Sequence, residues 1–187
     1  MSNYVVLHCH SDMSNGVTNI DSVTKYQDYV KRAQELNMTA LALSEHGSVF
    51  DWHGKKEAIE KAGMKYIHAA EFYITEKIDV DESGNPIKLR DNWHCLLIAR
   101  NFDGVKEINR LASKSFNRKD GSYYYAPRIQ FMDLLNTSNN VIVSTACLGG
   151  ILNRASDNIQ KRFLDFIIKN RDRCFLEIQH HNVLDQK

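Results

Sequence analysis

The sequence predicts an α/β fold of the barrel type, because short apolar runs alternate with helical patterns along the whole chain. Six of these runs predict strands that are apolar on both faces, which is typical of parallel strands covered by helices. No glycine-rich phosphate loop follows them, so a barrel-like arrangement is favoured over a doubly wound nucleotide-binding fold. With 187 residues the chain has the length of one domain with a substantial core.

The predicted strands occupy residues 4–7, 39–43, 66–74, 95–99, 141–144 and 174–178. Apolar residues at helical spacing predict a first helix over Val23, Tyr26, Val30, Ala33 and Leu36, with Asp21 or Ser22 as its cap. Further helices are predicted over residues 50–62, over Val105, Ile108, Leu111 and Ala112, and over residues 159–168. Turn-forming residues at 84–86 predict an exposed hairpin or loop over residues 79–91, and residues 117–127 are predicted to form a structured loop.

Charge and composition narrow the class of protein. The chain has 24 basic and 23 acidic residues, whereas a protein that binds DNA by phosphate neutralisation is usually more basic. Any contact with DNA must therefore be local or come from sequence outside this chain. No apolar stretch approaches the roughly 18 residues of a membrane span, and residues 1–10 lack the pattern of a secretory signal, which predicts a cytoplasmic protein. The four cysteines show no C-x-x-C spacing and are expected to be buried thiols, except Cys147.

Possible metal ligands occur at one end of five predicted strands, and in barrels of this kind chemistry is located at the carboxyl ends of the strands. His8 and His10 are two residues apart, so on a strand both point to the same face. The others are Asp12, His46, Glu71, His94 and Cys147. Imidazole, carboxylate and thiolate are the ligands of zinc, and they also suit manganese or iron. The alternative is that unrelated polar residues coincide at five strand ends. Of the remaining histidines, His53 is expected on the surface and His68 in the core or at its rim. His180 and His181 are expected to form a surface pair, with the alternative that one of them reaches the site.

The stretches His8-Cys9-His10, Glu45-His46-Gly47, Glu71, His94 and Cys147 resemble the metal-ligand motifs of the polymerase and histidinol phosphatase (PHP) superfamily. Residues 42–47, 94–101, 124–129, 144–150 and 175–179 are similar to the PHP domain that opens the alpha subunit of bacterial DNA polymerase III. The resemblance implies a distorted seven-stranded α/β barrel with up to three divalent ions, zinc, manganese, iron or magnesium. It also implies a phosphoester-cleaving site, which is a 3′–5′ exonuclease in some polymerase members and a structural module in others.

The resemblance further implies that His8, His10, His46, Glu71, His94 and Cys147 are metal ligands, and that His8, His10, Glu71 and His94 are catalytic. Glu45 is expected to lie beside the metals without binding them. Asn15 stands where the first motif commonly has aspartate, and Asp12 is close enough to substitute. The family's last motif is absent, so the expected fold is a single PHP domain over residues 1–187, a barrel truncated before its last strand and part of a longer polymerase.

Metal-assisted hydrolysis of a phosphodiester is the expected chemistry, with Arg128 either a phosphate anchor or a surface or helix-start arginine. The expected partners are DNA, through the parent polymerase, and other replicase subunits, with no membrane and a monomeric fragment that holds its ions loosely and cleaves little. Two alternatives stay open. Asn15 and the near-neutral charge favour a non-catalytic scaffold, whereas residues 94–101 and 124–129 disfavour a stand-alone phosphatase of small phosphomonoesters.

Overall fold

The computed structural model describes residues 4–17, 22–87 and 89–179, and it confirms the predicted α/β class. A 3-10 turn over Asp12–Ser14 precedes the helices, which are α1 Tyr26–Glu35, α2 Trp52–Lys61, α3 Phe102–Ser115, α4 Phe131–Leu135, α5 Ile151–Arg154 and α6 Asp157–Lys169. The strands are β1 Ala40–Ala42, β2 Lys65–Ile67, β3 Ala69–Thr75, β4 Trp93–Ala99, β5 Tyr123–Tyr124, β6 Ala126–Gln130, β7 Val141–Ser144 and β8 Cys174–Phe175. None of the helices in these ranges is long and apolar enough to cross a membrane.

The strands form a two-stranded sheet, β1-β2, and a six-stranded sheet with the order β5-β6-β3-β4-β7-β8. The pairs β1/β2, β3/β6 and β7/β8 are parallel, but β4 is antiparallel to both β3 and β7. The prediction that all strands are parallel is therefore wrong for β4. The reason is that a loop without a crossover helix connects β3 to β4, and a parallel pair needs such a crossover.

The first segment, residues 4–10, runs beside β1 and extends the two-stranded sheet. Val6 makes a parallel bridge to Leu41 in β1, and the bridge between His46 and Glu71 keeps the register in which β1 pairs with β2. A cavity of about 1340 Å³ is lined by residues of the first segment, β2, β4, β7 and the stretch from Phe175 to Gln179, together with residues of α2 and α3. Among the described residues no backbone bond joins the first segment to β8, so the barrel is open on that side.

The first and last strands differ from the prediction. The predicted buried strand over residues 4–7 is a single bridge at Val6, and Tyr4 and Leu7 are exposed. The predicted strand over residues 174–178 ends at Phe175, because its partner β7 ends opposite it at Ser144. The predicted strand over residues 66–74 is divided at His68, where the chain changes its partner from β1 to β4. Residues 117–127 form a loop that contains β5 and the start of β6.

The first helix is shorter than predicted. α1 begins after Lys25, and Val23 and Leu36 are exposed residues outside it. Ser22 does not cap the helix, because its backbone N–H and carbonyl are bonded to the side chain of Asn15. The alternative cap, Asp21, lies outside the described residues.

Side chains that alternate along β3 direct Glu71 away from the main core. Phe72 and Ile74 pack with Ile108 of α3 and Phe163 of α6 in the largest apolar cluster. Because successive side chains on a strand point to opposite faces, Glu71 belongs to the other face of the sheet. A strand held by its apolar residues therefore presents a buried carboxylate at a fixed place.

Candidate metal centre

Glu71 is fully buried, and four imidazoles surround its carboxylate. Its Oε1 lies 3.2 Å from His8 Nε2 and 3.1 Å from His94 Nδ1. Its Oε2 lies 2.5 Å from His46 Nδ1 and 3.7 Å from His10 Nε2. Five predicted ligands from four separate chain segments thus meet at one carboxylate.

Strand register explains why His94 reaches this carboxylate. Glu71 pairs with Leu96 and Tyr73 pairs with His94 across the antiparallel strands β3 and β4, so Glu71 and His94 are diagonal neighbours on one face. Gly149 packs against the His94 ring. A Cβ at Gly149 would lie 3.0 Å from His94 Nδ1, so a larger residue there would displace the ring.

Cys147 lies at the edge of the same cluster. Its Sγ is 3.3 Å from His94 Nδ1 and 3.7 Å from Glu71 Oε1. The preceding residue, Ala146, has a left-handed backbone with φ of 57°, a conformation that costs energy for a residue with a side chain. Backbone strain of this kind is typical of functional sites, and here it directly precedes the cysteine whose thiol contacts His94.

Two groups of three residues have ligand atoms within 4.8 Å of one another: His8, His10 and Glu71, and His46, Glu71 and His94. Glu71 belongs to both groups, so its carboxylate would contribute to either cation site. The nitrogen, oxygen and sulfur donors fit zinc, manganese or iron. Within the described residues His10 Nδ1 and Asp12 Oδ1 are buried without a hydrogen-bond partner. Asp12 belongs to neither group.

The protonation of the cluster depends on Glu71. Burial alone would lower the pKa of His8 and of His94, but hydrogen bonds of His8 to Glu177 and Glu71, and of His94 to Cys147 and Glu71, raise both values to about 10. Burial and the neighbouring His46 lower the pKa of His10 to about 4. Burial would raise the pKa of Glu71, yet its hydrogen bonds with the imidazoles hold it well below the usual range. The metal-free cluster therefore pairs a carboxylate with two protonated imidazoles.

Cation binding is expected to release protons from His8 and His94, because an imidazole must lose its extra proton to bind a metal. Since both pKa values are about 10, cation affinity should rise with pH between 7 and 10 and fall as the pH decreases. Titration calorimetry in two buffers with different ionisation enthalpies would measure the protons released. Binding enthalpies that do not depend on the buffer would contradict this expectation.

Glu177 is a site residue that the sequence prediction missed. Its Oε1 lies 2.6 Å from His8 Nδ1, and its Oε2 accepts a hydrogen bond from Ser144 Oγ. A carboxylate on the second nitrogen of a ligand histidine fixes the tautomer and leaves the other nitrogen for the metal. The alternation in residues 175–179, which puts Glu177 and Gln179 on one face, was the available signal.

Asn15, which stands where the first motif commonly has an aspartate, forms hydrogen bonds within its own loop. The Asn15 side chain donates to the carbonyl of Ser22 and accepts a bond from its N–H, so it closes the loop. Asn15 therefore has a structural role in this loop. Asp12, which was expected to substitute for an aspartate at position 15, belongs to neither ligand group.

Arg128 does not occupy the kind of position that was predicted for it. It is 1% exposed on β6, and its guanidinium donates to the carbonyl oxygens of Leu89, Asp91 and Gly121. An arginine on this buried strand is neither a surface nor a helix-start residue. Because the group already holds two loops together, it is not available as a phosphate anchor in this arrangement.

The other histidines lie apart from the cluster as far as the structure describes them. His68 is buried and bonded to Tyr66 and Asn109, which makes it a core histidine. His53 is exposed on α2. His180 and His181 lie outside the described residues.

A family model described as "PHP domain" matches residues 7–181. The chain belongs to the PHP domain family. As a PHP domain it is similar to DNA polymerase III alpha subunits, with 30% identity to that of Borreliella burgdorferi over 99% of the chain and 31% to that of Aquifex aeolicus over 98%. The predicted resemblance is thereby confirmed. The chain spans 16% of the length of both relatives.

Solved structures show that this PHP domain shares its fold with hydrolase-type proteins. A candidate metal-dependent phosphoesterase from Bifidobacterium adolescentis is 12% identical, with a TM-score of 0.53 over 88% of this chain and 75% of that protein. An amidohydrolase from Chromobacterium violaceum is 12% identical, with a TM-score of 0.51 over 89% and 74% of the two chains. At this identity the likeness concerns the fold alone, and it supports the barrel-type class.

Proposed function

We propose that this PHP domain is part of a bacterial replicative DNA polymerase, where it binds two or three divalent cations and hydrolyses phosphodiesters at DNA 3′ ends. The observation that carries the proposal is the buried Glu71 carboxylate shared by two ligand groups. The similarity to polymerase alpha subunits supports DNA as the substrate. The proposed metals are zinc, manganese or iron, with magnesium as a further candidate.

The proposed ligands are those of the predicted set that meet at Glu71, namely His8, His10, His46, Glu71, His94 and Cys147. Asp12 stays a predicted ligand outside the two groups. When bound, divalent cations would act as Lewis acids on the phosphoryl group and make water nucleophilic near neutral pH. His8, His10, Glu71 and His94 are the proposed catalytic residues because they would bind the cations that activate the phosphodiester and the water.

Neighbouring residues of the chain orient the proposed ligand histidines and determine their protonation. Glu177 accepts the Nδ1 proton of His8, so Nε2 faces Glu71. The low pKa of His10 keeps this imidazole neutral, which is its metal-binding form. The Tyr73 ring lies parallel to that of His46, with 5.8 Å between ring centroids and an interplanar angle of 7°.

DNA would reach this domain through contacts made by the rest of the polymerase. With a net charge of +1 the chain offers little phosphate neutralisation, so other parts of the polymerase would supply the DNA path. We propose that residues 1–187 form a single amino-terminal PHP domain, that other replicase subunits are its partners, and that it acts in the bacterial cytoplasm.

His10→Ala is expected to abolish divalent-dependent nucleotide release from single-stranded DNA labelled at its 5′ end, because one ligand group loses a member. The polymerase chain that contains this domain is the protein to assay, and exposed His53→Ala is the matched control. Equal release by wild type and His10→Ala would contradict the proposed site. p-Nitrophenyl phosphate added to the same assay distinguishes a phosphomonoesterase.

A non-catalytic scaffold is the second candidate function. The observation that favours it is the Asn15 side chain, which is committed to Ser22 where the first motif commonly has an aspartate. This alternative predicts that the wild-type protein contains metal but releases no nucleotide. Nucleotide release by the metal-containing protein therefore separates the two candidates, and metal analysis of the assayed protein confirms that the metal is present.

A further inference from the structure

A second buried carboxylate, Glu45, lies next to the cluster without being part of it. Its Oε1 accepts hydrogen bonds from Ser11 Oγ at 2.6 Å and from Lys55 Nζ at 2.7 Å. Its Oε2 accepts from the backbone N–H of Ser11 at 2.9 Å and from Ser14 Oγ. With four donors, both oxygens of Glu45 are fully used, so this carboxylate is not available as a metal ligand.

All four residues of this network are buried. Glu45 and Ser11 are 0% exposed, and Ser14 and Lys55 are 1% exposed. A buried ion pair gives little net stability, because desolvation of the two charges offsets their attraction. Geometry, rather than stability, is therefore the property that this pair can supply.

The network joins the two segments that carry His10 and His46. Ser11 and Ser14 belong to the turn directly after His10, and Ser14 Oγ also accepts the backbone N–H of His46 at 3.1 Å. The two imidazoles stack with 3.8 Å between ring centroids and an interplanar angle of 15°. His10 and His46 belong to different ligand groups, so their spacing also sets the spacing of the groups.

We propose that the Glu45–Lys55 ion pair, through Ser11 and Ser14, is a positioning device that fixes His10 relative to His46 and thereby sets the cation affinity of the cluster. The negative charge of Glu45 holds four donors at once, and Lys55 on α2 anchors the carboxylate to the helix. This inference rests on the proposed metal function.

Co²⁺ binding to the full chain tests the inference, because Co²⁺ reports affinity and ligand geometry in one absorption spectrum. Ser14→Ala removes the link to the His46 N–H and is expected to weaken Co²⁺ binding by about tenfold and to shift the visible bands. The matched control is Ser48→Ala, since Ser48 is buried two residues after His46 and its Oγ has no hydrogen-bond partner in the described part of the chain. This control should bind Co²⁺ like the wild type.

The double variant Glu45→Gln/Lys55→Met distinguishes an effect on the positions of the ligands from an effect on the stability of the fold. Removal of both charges leaves no unpaired ion, so its metal-free melting temperature should stay near that of the wild type. Its Co²⁺ affinity should nevertheless fall by about 10–100-fold. Wild-type affinity and spectrum in both the double variant and Ser14→Ala would overturn the inference alone. A wild-type chain that takes up no Co²⁺ would overturn the metal centre and, with it, this inference.

Discussion

Glu71→Gln is expected to reduce the metal content of the protein to traces and to abolish the proposed metal-dependent hydrolysis. Glutamine keeps the size of the side chain but loses the charge that two ligand groups share. Loss of an outer-shell partner already costs about 10–100-fold in metal affinity, and the loss of a shared inner carboxylate should exceed that. Elemental analysis and competition with a chromogenic chelator would measure the effect.

The fold should survive the Glu71→Gln substitution. Without the carboxylate the pKa values of His8 and His94 should fall, so no charged imidazole has to stay buried without a partner. Circular dichroism would test this directly. The matched control is Glu35→Gln on the exposed end of α1, which should keep full metal content. A Glu71→Gln protein that binds metal like the wild type would refute the Glu71-centred site.

Arg128→Leu is expected to lower the free energy of unfolding by about 3 kcal/mol, because three buried or partly buried carbonyl oxygens lose a charged donor. The oxygens concerned are those of Leu89, Asp91 and Gly121. For a chain of this length that change corresponds to a melting temperature lower by roughly 6–12 °C. Thermal and urea denaturation would measure it.

Metal content should not change in Arg128→Leu, because the arginine contacts no member of the cluster among the described residues. Arg32→Leu is the matched control, since Arg32 is exposed on α1 and pairs only with Glu35 among the described ion pairs. Its stability should stay within about 0.5 kcal/mol of the wild type. Unchanged stability of Arg128→Leu together with weaker DNA binding would restore the predicted phosphate anchor.

The pattern of polar residues at strand ends is sufficient to locate most of the candidate cluster. His8 and His10 share a face by their spacing, and a carboxylate in the apolar strand around Glu71 needs a compensating charge. The structure brings these residues together with His46 and His94. Asp12 shows the limit of the pattern, because proximity along the chain did not place its carboxylate in either ligand group.

The side-chain partners of the charged site residues could not be predicted in this way. Glu177 reaches His8 from 169 positions away, and Lys55 reaches Glu45 from a helix whose pattern only indicates amphipathicity. Arg128 gave the same sequence signal as a surface arginine. A charged residue's partner depends on how strands and loops are arranged, and the local pattern does not encode that arrangement.

The sequence by itself determined the α/β class, the order of the longer strands and helices, and the residue types of a candidate metal cluster, because these follow from the periodicity of apolar residues and from polar residues at their ends. Only the tertiary structure decided the direction of β4, the convergence of four imidazoles on Glu71, and the roles of Glu177, Asn15 and Arg128. These features depend on strand direction, register and contacts between distant segments. They are fixed when the whole chain packs, and no short stretch of sequence specifies them.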